Sequence, residues 1–446
     1  MTHATLPTFR HGVHPPERKA STAALSVERM PFVERYIVPL SQHIGKAAVP
    51  LVKPGETVVR GQMLAKPDGF ISTAVHAPVS GKILNLDLQP HPSGQLMQAF
   101  TIQADSFSAQ TVDTQVPPDV DSLSIQETIQ WVQNSGLVGL GGAAFPTHVK
   151  FSVPQGKRIQ AVILNGCECE PYLTCDHRVM LEQPGNVVRG LRLMMRKLGA
   201  QKGYIGIESN KADAIDLLKN ILSDQPDVEV VALNVKYPQG AEKMLLDAIF
   251  QKEVPSGKLP LDLEMVVNNV GTAAALAQYF DDGVPLIERV VTVTGPAVPE
   301  PKNLMVPLGT PLFEVLKHCA VDLERIRQVI LGGPMMGFAQ KNLQAPIIKG
   351  TSGILVFEQP LAEPIGELPC IRCSRCLDAC PMFLNPSRLA AMVRREWTDE
   401  LQQYHLMDCF ECASCSYVCP SNIPLVHLMR LGKLMIRQAK AKEQVK

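Results

Sequence analysis

The sequence predicts a multidomain α/β and α+β chain, and three observations carry that reading. Between residues 49 and 83, short β-prone runs are separated by the turn groups KPG, RG, PDG and SG, the punctuation of a small all-β unit. From about residue 125, helical and strand-like runs alternate, which predicts a sheet covered by helices. The last stretch, from about residue 359, reads as helical apart from two tight cysteine arrays.

A chain of 446 residues exceeds one ordinary core, so roughly two to four domains are expected. Its hydrophobic share of 46% and charged share of 19% describe a folded chain. Lys plus Arg and Asp plus Glu both number 43, and this neutral balance gives no electrostatic reason to expect nucleic acid. The opening MTHATLPTFRHGVHPP has no basic stretch followed by an apolar one, so no signal peptide is expected. No run of about 18 apolar residues occurs, so no spanning helix is expected either. Of 12 cysteines, most lie in the two arrays, which suits a reducing compartment and metal, with a cytoplasmic location as the default.

The β unit resembles the barrel-sandwich fold of biotinyl and lipoyl carrier domains. Those carriers present a modifiable lysine at a hairpin tip. Here the corresponding turn reads PDGF with Lys66 only nearby, so a structural role is expected. Residues 88–122, rich in Pro, Ser, Gln and Asp, read as a connector. IQETIQWVQNSG predicts a helix ended by Gly136, RIQAVILNG a buried strand, and VVRGLRLMMRKLGA a helix closed near Gly199. KGYIGIES and ADAIDLLKNILSD continue the alternation. Residues 286–357 hold shorter β runs around one helix at 311–319, a small α+β module. NPSRLAAMVRREWTDELQQYHL predicts a helix starting after Pro386. The expected domains are 1–122, 123–285, 286–358 and 359–446.

CIRCSRCLDACP and CFECASCSYVCP share the spacing C-x2-C-x2-C-x3-C-P, the bacterial ferredoxin run. In that pattern the fourth cysteine, sent away by the proline, ligates the other cluster. Two [4Fe–4S] clusters with crossed ligation follow. Cys370, Cys373, Cys376 and Cys419 would hold one, and Cys409, Cys412, Cys415 and Cys380 the other. Zinc ribbons also use C-x2-C pairs. Zinc leaves the third cysteine, the fourth and the proline unexplained in both copies. His405 lies just before the second array but is not needed as a ligand.

GLVGLGGAAFPTHVK, residues 136–150, allows close backbone approach at Gly136, Gly139, Gly141 and Gly142. Exposed amides there would suit an anion, with Lys150 adding charge. It lacks the G-K-[ST] of a P-loop. LNGCECEPYLTCDHR follows a predicted strand and places Asn165, Glu168, Glu170 and Asp176 at the ligand end of an α/β sheet. Cys167, Cys169 and Cys175 lack the paired spacing of a third metal site.

Together these pieces resemble the flavin- and NADH-binding core shared by the 51-kDa-type subunit of respiratory complex I and by the RnfC family. The matching segments are GLGGAAFPTHVK, LNGCECEPYLTCDHRVMLEQP, YPQGAEK, VNNVGTAAAL, ERVVTVTG and GGPMMG, then the two arrays. FRHGVHPPERK and the sandwich-like unit ahead of them fit the RnfC family better. The resemblance implies four parts: an N-terminal barrel-sandwich β unit, an α/β flavin/NADH-binding core, a β-grasp module and an α-helical di-cluster ferredoxin domain. It implies that Gly139, Gly141, Gly142, Lys150, Asn165, Asn268, Asn269 and Thr272 hold FMN, with Glu168 among the polar groups there. Phe145, Glu170 and Glu242 match positions near the nicotinamide of NAD(H). Three departures stand out: Ala144 where glycine is usual, Cys167 where complex I subunits have an acid, and Ser374 and Ala413 where the arrays commonly have glycine.

NADH gives two electrons as hydride, whereas a cluster takes one, and a flavin joins the two regimes. The expected function is therefore electron transfer between NAD(H), FMN and two [4Fe–4S] clusters. The resemblance implies partner subunits of a membrane redox complex, ferredoxin reached indirectly, and a peripheral place on the cytoplasmic face of the bacterial inner membrane. The alternatives are a flavin-free relay subunit and a soluble flavin/iron–sulfur cobalamin reductase. The basic C-terminal stretch with Arg430, Lys433, Arg437, Lys440, Lys442 and Lys446 is a candidate docking helix for a membrane or partner.

Overall fold

Four parallel strands organise the centre of the molecule: Ala161–Asn165, Lys202–Glu208, Val228–Leu233 and Met265–Asn269. The computed structural model describes residues 6–359 and 366–444, and Lys446 of the basic tail lies outside them. The first of these strands is flanked by the second on one side and the fourth on the other, so the winding reverses between Ala161–Asn165 and Met265–Asn269. Both faces are covered, as parallel strands require. Val162, Leu164, Ile205 and Ile207 pack on one side with Leu191, Met194 and Ala273 from the helices Pro184–Leu198 and Val270–Asp282. Ile163, Leu233 and Val267 pack on the other side with Leu245 and Leu246 of the helix Glu242–Phe250.

Local signals explain the boundaries. Ser124 and Glu127 form a reciprocal capping box on the helix Ile125–Asn134. Gly199 ends Pro184–Leu198 in the left-handed conformation. Asn269 caps Val270–Asp282, accepting from the Gly271 and Thr272 amides at 2.8 and 3.2 Å.

The N-terminal unit is a sandwich. A four-stranded sheet contains Arg35–Pro39, Leu96–Ala104, Gly81–Pro90 and Thr57–Val58, and a three-stranded sheet contains Val49–Pro50, Met63–Lys66 and Val75–His76. Tyr36, Val38, Leu64, Ile83, Phe100 and Ile102 fill it. The connector expected at 88–122 is corrected in its first half, because Leu96–Ala104 is a full strand paired on both edges. Its Phe100 and Ile102 alternate into the core, a period-2 signal masked by the polar residues between them.

The PDGF turn does not present a mobile tip. Gln133 Nε2 donates to Gly69 O and Ser72 O at 2.9 and 3.0 Å, and His148 Nε2 donates to Phe70 O at 2.7 Å. These bonds fasten the turn to the central unit and support the structural role.

Residues 286–357 lie in a six-stranded sheet built from Glu288–Thr294, Lys302–Pro307, Gln328–Leu331, Phe338–Ala339 and Gly353–Phe357, with the N-terminal Val27–Arg29 added in parallel to Lys302–Pro307. The expected helix lies at Leu312–His318. Beyond it, the single helix predicted after Pro386 is two, Pro386–Arg394 and Thr398–Gln403, broken where Glu396 takes φ +58°. The break lets Leu389, Met392 and Val393 from one piece and Leu401 from the other join one core with Leu425–Gln444.

The basic tail is likewise corrected in part. Arg430 and Lys433 bind Glu411 at 3.1 and 2.8 Å, so they secure the second array, while Arg437, Lys440 and Lys442 remain exposed. Among the described residues, no helix is long and apolar enough to cross a membrane.

Lys349 ties three units together. It is fully buried, and its Nζ donates to Ala74 O of the sandwich at 2.6 Å and to Gly136 O at 2.7 Å. Burial pushes its amine down to about 7 from an ordinary 10.5. Between those values the unfolded chain holds the extra proton, so the contribution of this group to stability rises with pH, by up to about 1.4 kcal/mol per unit. Urea unfolding of the wild type and of K349M should therefore show the wild type gaining on the variant from pH 7 to pH 9. A pH-independent gap refutes it.

Candidate functional site: a glycine-rich crevice beside two cysteine arrays

The glycine-rich segment is a narrow loop. Gly139 N donates to Phe145 O at 2.8 Å and Ala144 N to Gly139 O at 3.1 Å, so the peptides between them project as a tip. Gly141, Gly142 and Ala143 are exposed there, and Phe145 is half-buried. Gly142 has φ +103°, and no atom lies within 4 Å of where a Cβ would stand, leaving its backbone open to an approaching group. The rear of the loop is fixed. The Thr272 hydroxyl accepts from Leu140 N at 2.9 Å and donates to Val138 O at 3.3 Å, and Gly141 rests on the Asn269 side chain.

That loop stands at the switch point of the central sheet, the usual ligand position in such folds. Asn165 and Asn269 are direct partners in register at the strand ends. Asn165 Nδ2 donates to Gly240 O at 2.7 Å, and Asn269 Nδ2 donates to Asp176 Oδ2 at 2.6 Å. Asn268, by the alternation of a strand, turns away from its neighbour. It is buried with its Nδ2 on Met194 Sδ at 3.3 Å, so the structure separates it from the crevice.

Other expected ligands have internal partners. Lys150 Nζ binds Glu242 Oε1 at 3.2 Å and also Val267 O, so these two predicted residues neutralise each other. Glu168 accepts from Asp176 N at 2.7 Å and His177 N at 3.2 Å, capping the helix Cys175–Glu182. Its carboxylate therefore serves a helix terminus, a role that no local pattern predicts. Glu170 accepts from Met335 N and Met336 N at 3.0 and 2.8 Å, and burial pushes it up to about 7 against those two bonds. The GGPMMG loop needs Gly333 for this grip, since a Cβ there would lie 2.2 Å from the carboxylate.

Cys167, Cys169 and Cys175, three of the four cysteines outside the arrays, do not converge. Cys167 lies with Leu233 and Leu245 in the core, so its departure from an acid concerns packing and not the crevice. Cys169 Sγ accepts from Gly240 N at 3.2 Å. Cys175 stands instead with Glu168 and Asp176. Asp176, pushed up to about 7 by burial and by Glu168, belongs to the crevice through Asn269. Sequence reasoning missed Lys19 and Tyr237. Lys19 Nζ donates to the carbonyls of Glu168, Glu170 and Leu173 at 2.9, 2.8 and 2.5 Å. Tyr237, fully buried, donates its hydroxyl to Cys412 O at 2.9 Å. Both partners lie over a hundred residues away, so no local pattern carries the signal.

The arrays adopt matching backbones. Arg372 and Ser374 have φ +56° and +62°, and Glu411 and Ala413 have +64° and +63°. Such alternation turns successive amides inward around a concave anion-binding space, and it suits clusters whose sulfurs accept from amides. Cys380 lines one cavity with Cys409, Cys412 and Cys415. Cys376 and Cys419 pack against one core, while Cys370 and Cys373 are exposed. His405 is exposed, its ring 3.8 Å from Asp408. The donor set and the inward amides fit iron–sulfur clusters, and the open glycine tip at the switch point fits a flavin mononucleotide.

These features define an electron-transfer protein with an FMN-binding α/β domain and a [4Fe–4S] dicluster domain, and comparison with known proteins agrees. Residues 7–107 match the RnfC barrel sandwich hybrid domain, 132–278 the Nuo51 FMN-binding domain, 290–339 the SLBB domain and 369–424 the 4Fe-4S dicluster domain. The C component of the proton-translocating ferredoxin:NAD(+) oxidoreductase complex of Clostridium ljungdahlii is 42% identical, over 99% of this chain and 96% of that protein. The C component of the Na(+)-translocating complex of Acetobacterium woodii is 43% identical, over 96% of each. Its counterpart in the ion-translocating oxidoreductase complex of Haemophilus influenzae is 38% identical over 98% of this chain but 53% of that longer protein. The chain belongs to the RnfC family, whose members are components of ion-translocating ferredoxin:NAD oxidoreductase complexes.

Left-handed φ values are strained for residues other than glycine, by about 1–2 kcal/mol each. Because Ser374 and Ala413 hold that conformation, Ser374→Gly and Ala413→Gly should each stabilise the chain, by about 0.5–1 kcal/mol after the extra entropy of glycine. Thermal unfolding of anaerobically reconstituted, cluster-loaded protein checks this, and a lowered midpoint in both variants refutes it.

Proposed function

We propose that this chain passes electrons between NAD(H) and partner subunits of a membrane redox complex through FMN and two [4Fe–4S] clusters. Bound FMN would supply the two-electron to one-electron conversion, taking one hydride from nicotinamide and releasing its electrons singly to iron–sulfur clusters. The tasks of the protein are to bind, orient and exclude water. The Gly139–Phe145 loop offers open amides for a phosphate-bearing group, with Gly141, Asn269 and Thr272 fixing its shape. Asn165 and Asn269 stand at the strand ends for the ring system, while Glu170 and Phe145 flank the side we assign to nicotinamide. Lys150 and Glu242 act as a neutral pair behind it.

The observation that carries this reading is the continuity between crevice and arrays: Glu170 lies beside Tyr237, and Tyr237 reaches Cys412. The cluster of Cys409, Cys412, Cys415 and Cys380 is thereby the one nearer the flavin. The cluster of Cys370, Cys373, Cys376 and Cys419 lies toward solvent and faces the partner. We assign the chain to the cytoplasmic face, with ferredoxin reached through other subunits. The domain limits 1–122, 123–285, 286–358 and 359–446 remain our division, with Val27–Arg29 crossing into the third. A cobalamin reductase reading is disfavoured by family matches that include the N-terminal unit.

Anaerobically purified protein should hold about eight irons, an equal amount of acid-labile sulfide and one releasable FMN, and should oxidise NADH with an artificial acceptor. Iron without flavin after reconstitution sinks the flavin step and leaves a relay protein. Crossed ligation has its own test by EPR. Cys380→Ser and Cys412→Ser should extinguish the same cluster signal, and Cys419→Ser and Cys373→Ser the other. If Cys380→Ser matches Cys373→Ser, ligation is not crossed.

A further inference from the structure

The segment FRHGVHPPERK is tied into the molecule along its length. Lys236 Nζ donates to Phe9 O at 2.9 Å, and Gly12 N donates to Ala379 O at 3.3 Å, one residue before Cys380. Val13 and Tyr237 exchange both backbone hydrogen bonds, at 2.8 and 2.9 Å. Tyr172 N donates to Glu17 O at 2.8 Å, and Lys19 closes the strap on the carbonyls of the 168–173 loop. The strap thus clamps the backbone of Tyr237 from one side. Tyr237 also packs with Val13 of the strap and with Ala379, Met335, Cys169 and Cys412 in one apolar group.

Both hydrogen bonds of this assembly to the arrays, at Ala379 O and Cys412 O, fall on ligand stretches of the same cluster, whereas Val418, beside Cys419 of the other, meets it through apolar packing alone. The strap and Tyr237 make no comparable hydrogen bond, among the described residues, to the exposed Cys370 and Cys373. Hydrogen bonding and solvent exposure at the ligands set cluster potentials. A hydroxyl dipole held with its positive end toward a ligand peptide, in surroundings that screen poorly, favours the added electron.

We propose that Tyr237 is a positioning residue for electron transfer: its hydroxyl fixes the Cys412 peptide and raises the reduction potential of the cluster held by Cys409, Cys412, Cys415 and Cys380 relative to the other cluster. The inference rests on the two-cluster, crossed reading above. It predicts that losing one oxygen atom changes one of two midpoints.

The test uses the full chain, reconstituted anaerobically with iron, sulfide and FMN, with iron content measured before an EPR-monitored redox titration. Y237F should keep both clusters, with one midpoint moved to lower potential and the other unmoved. The control Y36F removes another buried tyrosine hydroxyl, the acceptor of Val33 N in the sandwich, and should move neither. Two unmoved midpoints, or an equal movement of both, overturn the proposal. If Y237F loses iron, V13P takes its place. It deletes the amide that holds Tyr237 O but keeps the hydroxyl, and it should move the same midpoint; no movement overturns the proposal. Wild-type protein that binds fewer than two clusters overturns the underlying reading instead, and the inference falls with it.

Discussion

Fixed register between the crevice and the cysteine arrays is the constraint on which the rest of the structure depends. A group that hands on electrons must be held rigidly against the group that receives them, and precise sites are built on supported elements. Here the donors of that rigidity come from far along the chain. Lys349 joins the sandwich to the start of the glycine loop, Gln133 and His148 fasten the PDGF turn, and Asp408 accepts from Gly257 N at 3.2 Å across the ferredoxin boundary. None of these residues is among those expected to bind a cofactor. The sandwich acts as a wedge against the crevice, not as a mobile carrier.

Charge is arranged to the same end. The crevice loop holds Glu168 against Asp176, and the buried Glu208 shares Lys19 and Lys211 with Glu168, a grouping that would be prohibitive if the acids stood alone. Lys19 supplies an ammonium to the loop carbonyls, Lys211 Nζ binds Glu208 Oε2 at 3.1 Å and Cys167 O at 2.6 Å, and the buried Arg289 guanidinium holds Leu140 O at 3.2 Å. Removing one partner of such a pair leaves an uncompensated buried charge, at a cost of about 3–5 kcal/mol. Most of the acidic residues there are therefore structural, and the groups free to meet a ligand are the backbone amides of the glycine tip.

Legibility in the sequence followed the range of the interactions. The arrays were readable because cluster ligation imposes a local spacing on Cys370 to Cys380 and Cys409 to Cys419. The helices were readable because capping and 3.6-residue periodicity are local too. The strand Leu96–Ala104 was hidden because only alternate residues face its core, and the break at Glu396 because tertiary burial of Leu401 decides it. At the site, the sequence placed Asn165, Asn269, Thr272 and the glycines where they meet. It could not separate Asn268 from Asn269, because a one-residue step on a strand reverses the face. Nor could it see Glu168 as a cap, Lys150 and Glu242 as a pair, or the strap as a clamp, since each depends on a partner brought by the fold.

If ligation is crossed as proposed, a final consequence follows. The core of the ferredoxin module is small, built around Leu389, Met392, Val393, Leu401 and Leu425, and small cores need a staple. Each array also holds two non-glycine residues in left-handed backbone, a conformation that persists only where surroundings over-determine it. Clusters that share their fourth ligands between the arrays would supply that determination, because each joins segments about forty residues apart and closes the loop containing both intervening helices. Metal binding and folding of this module are then one process. The helix Leu425–Gln444, with Arg430 and Lys433 on Glu411, locks the second array from behind and so belongs to the redox site as much as to any surface it meets.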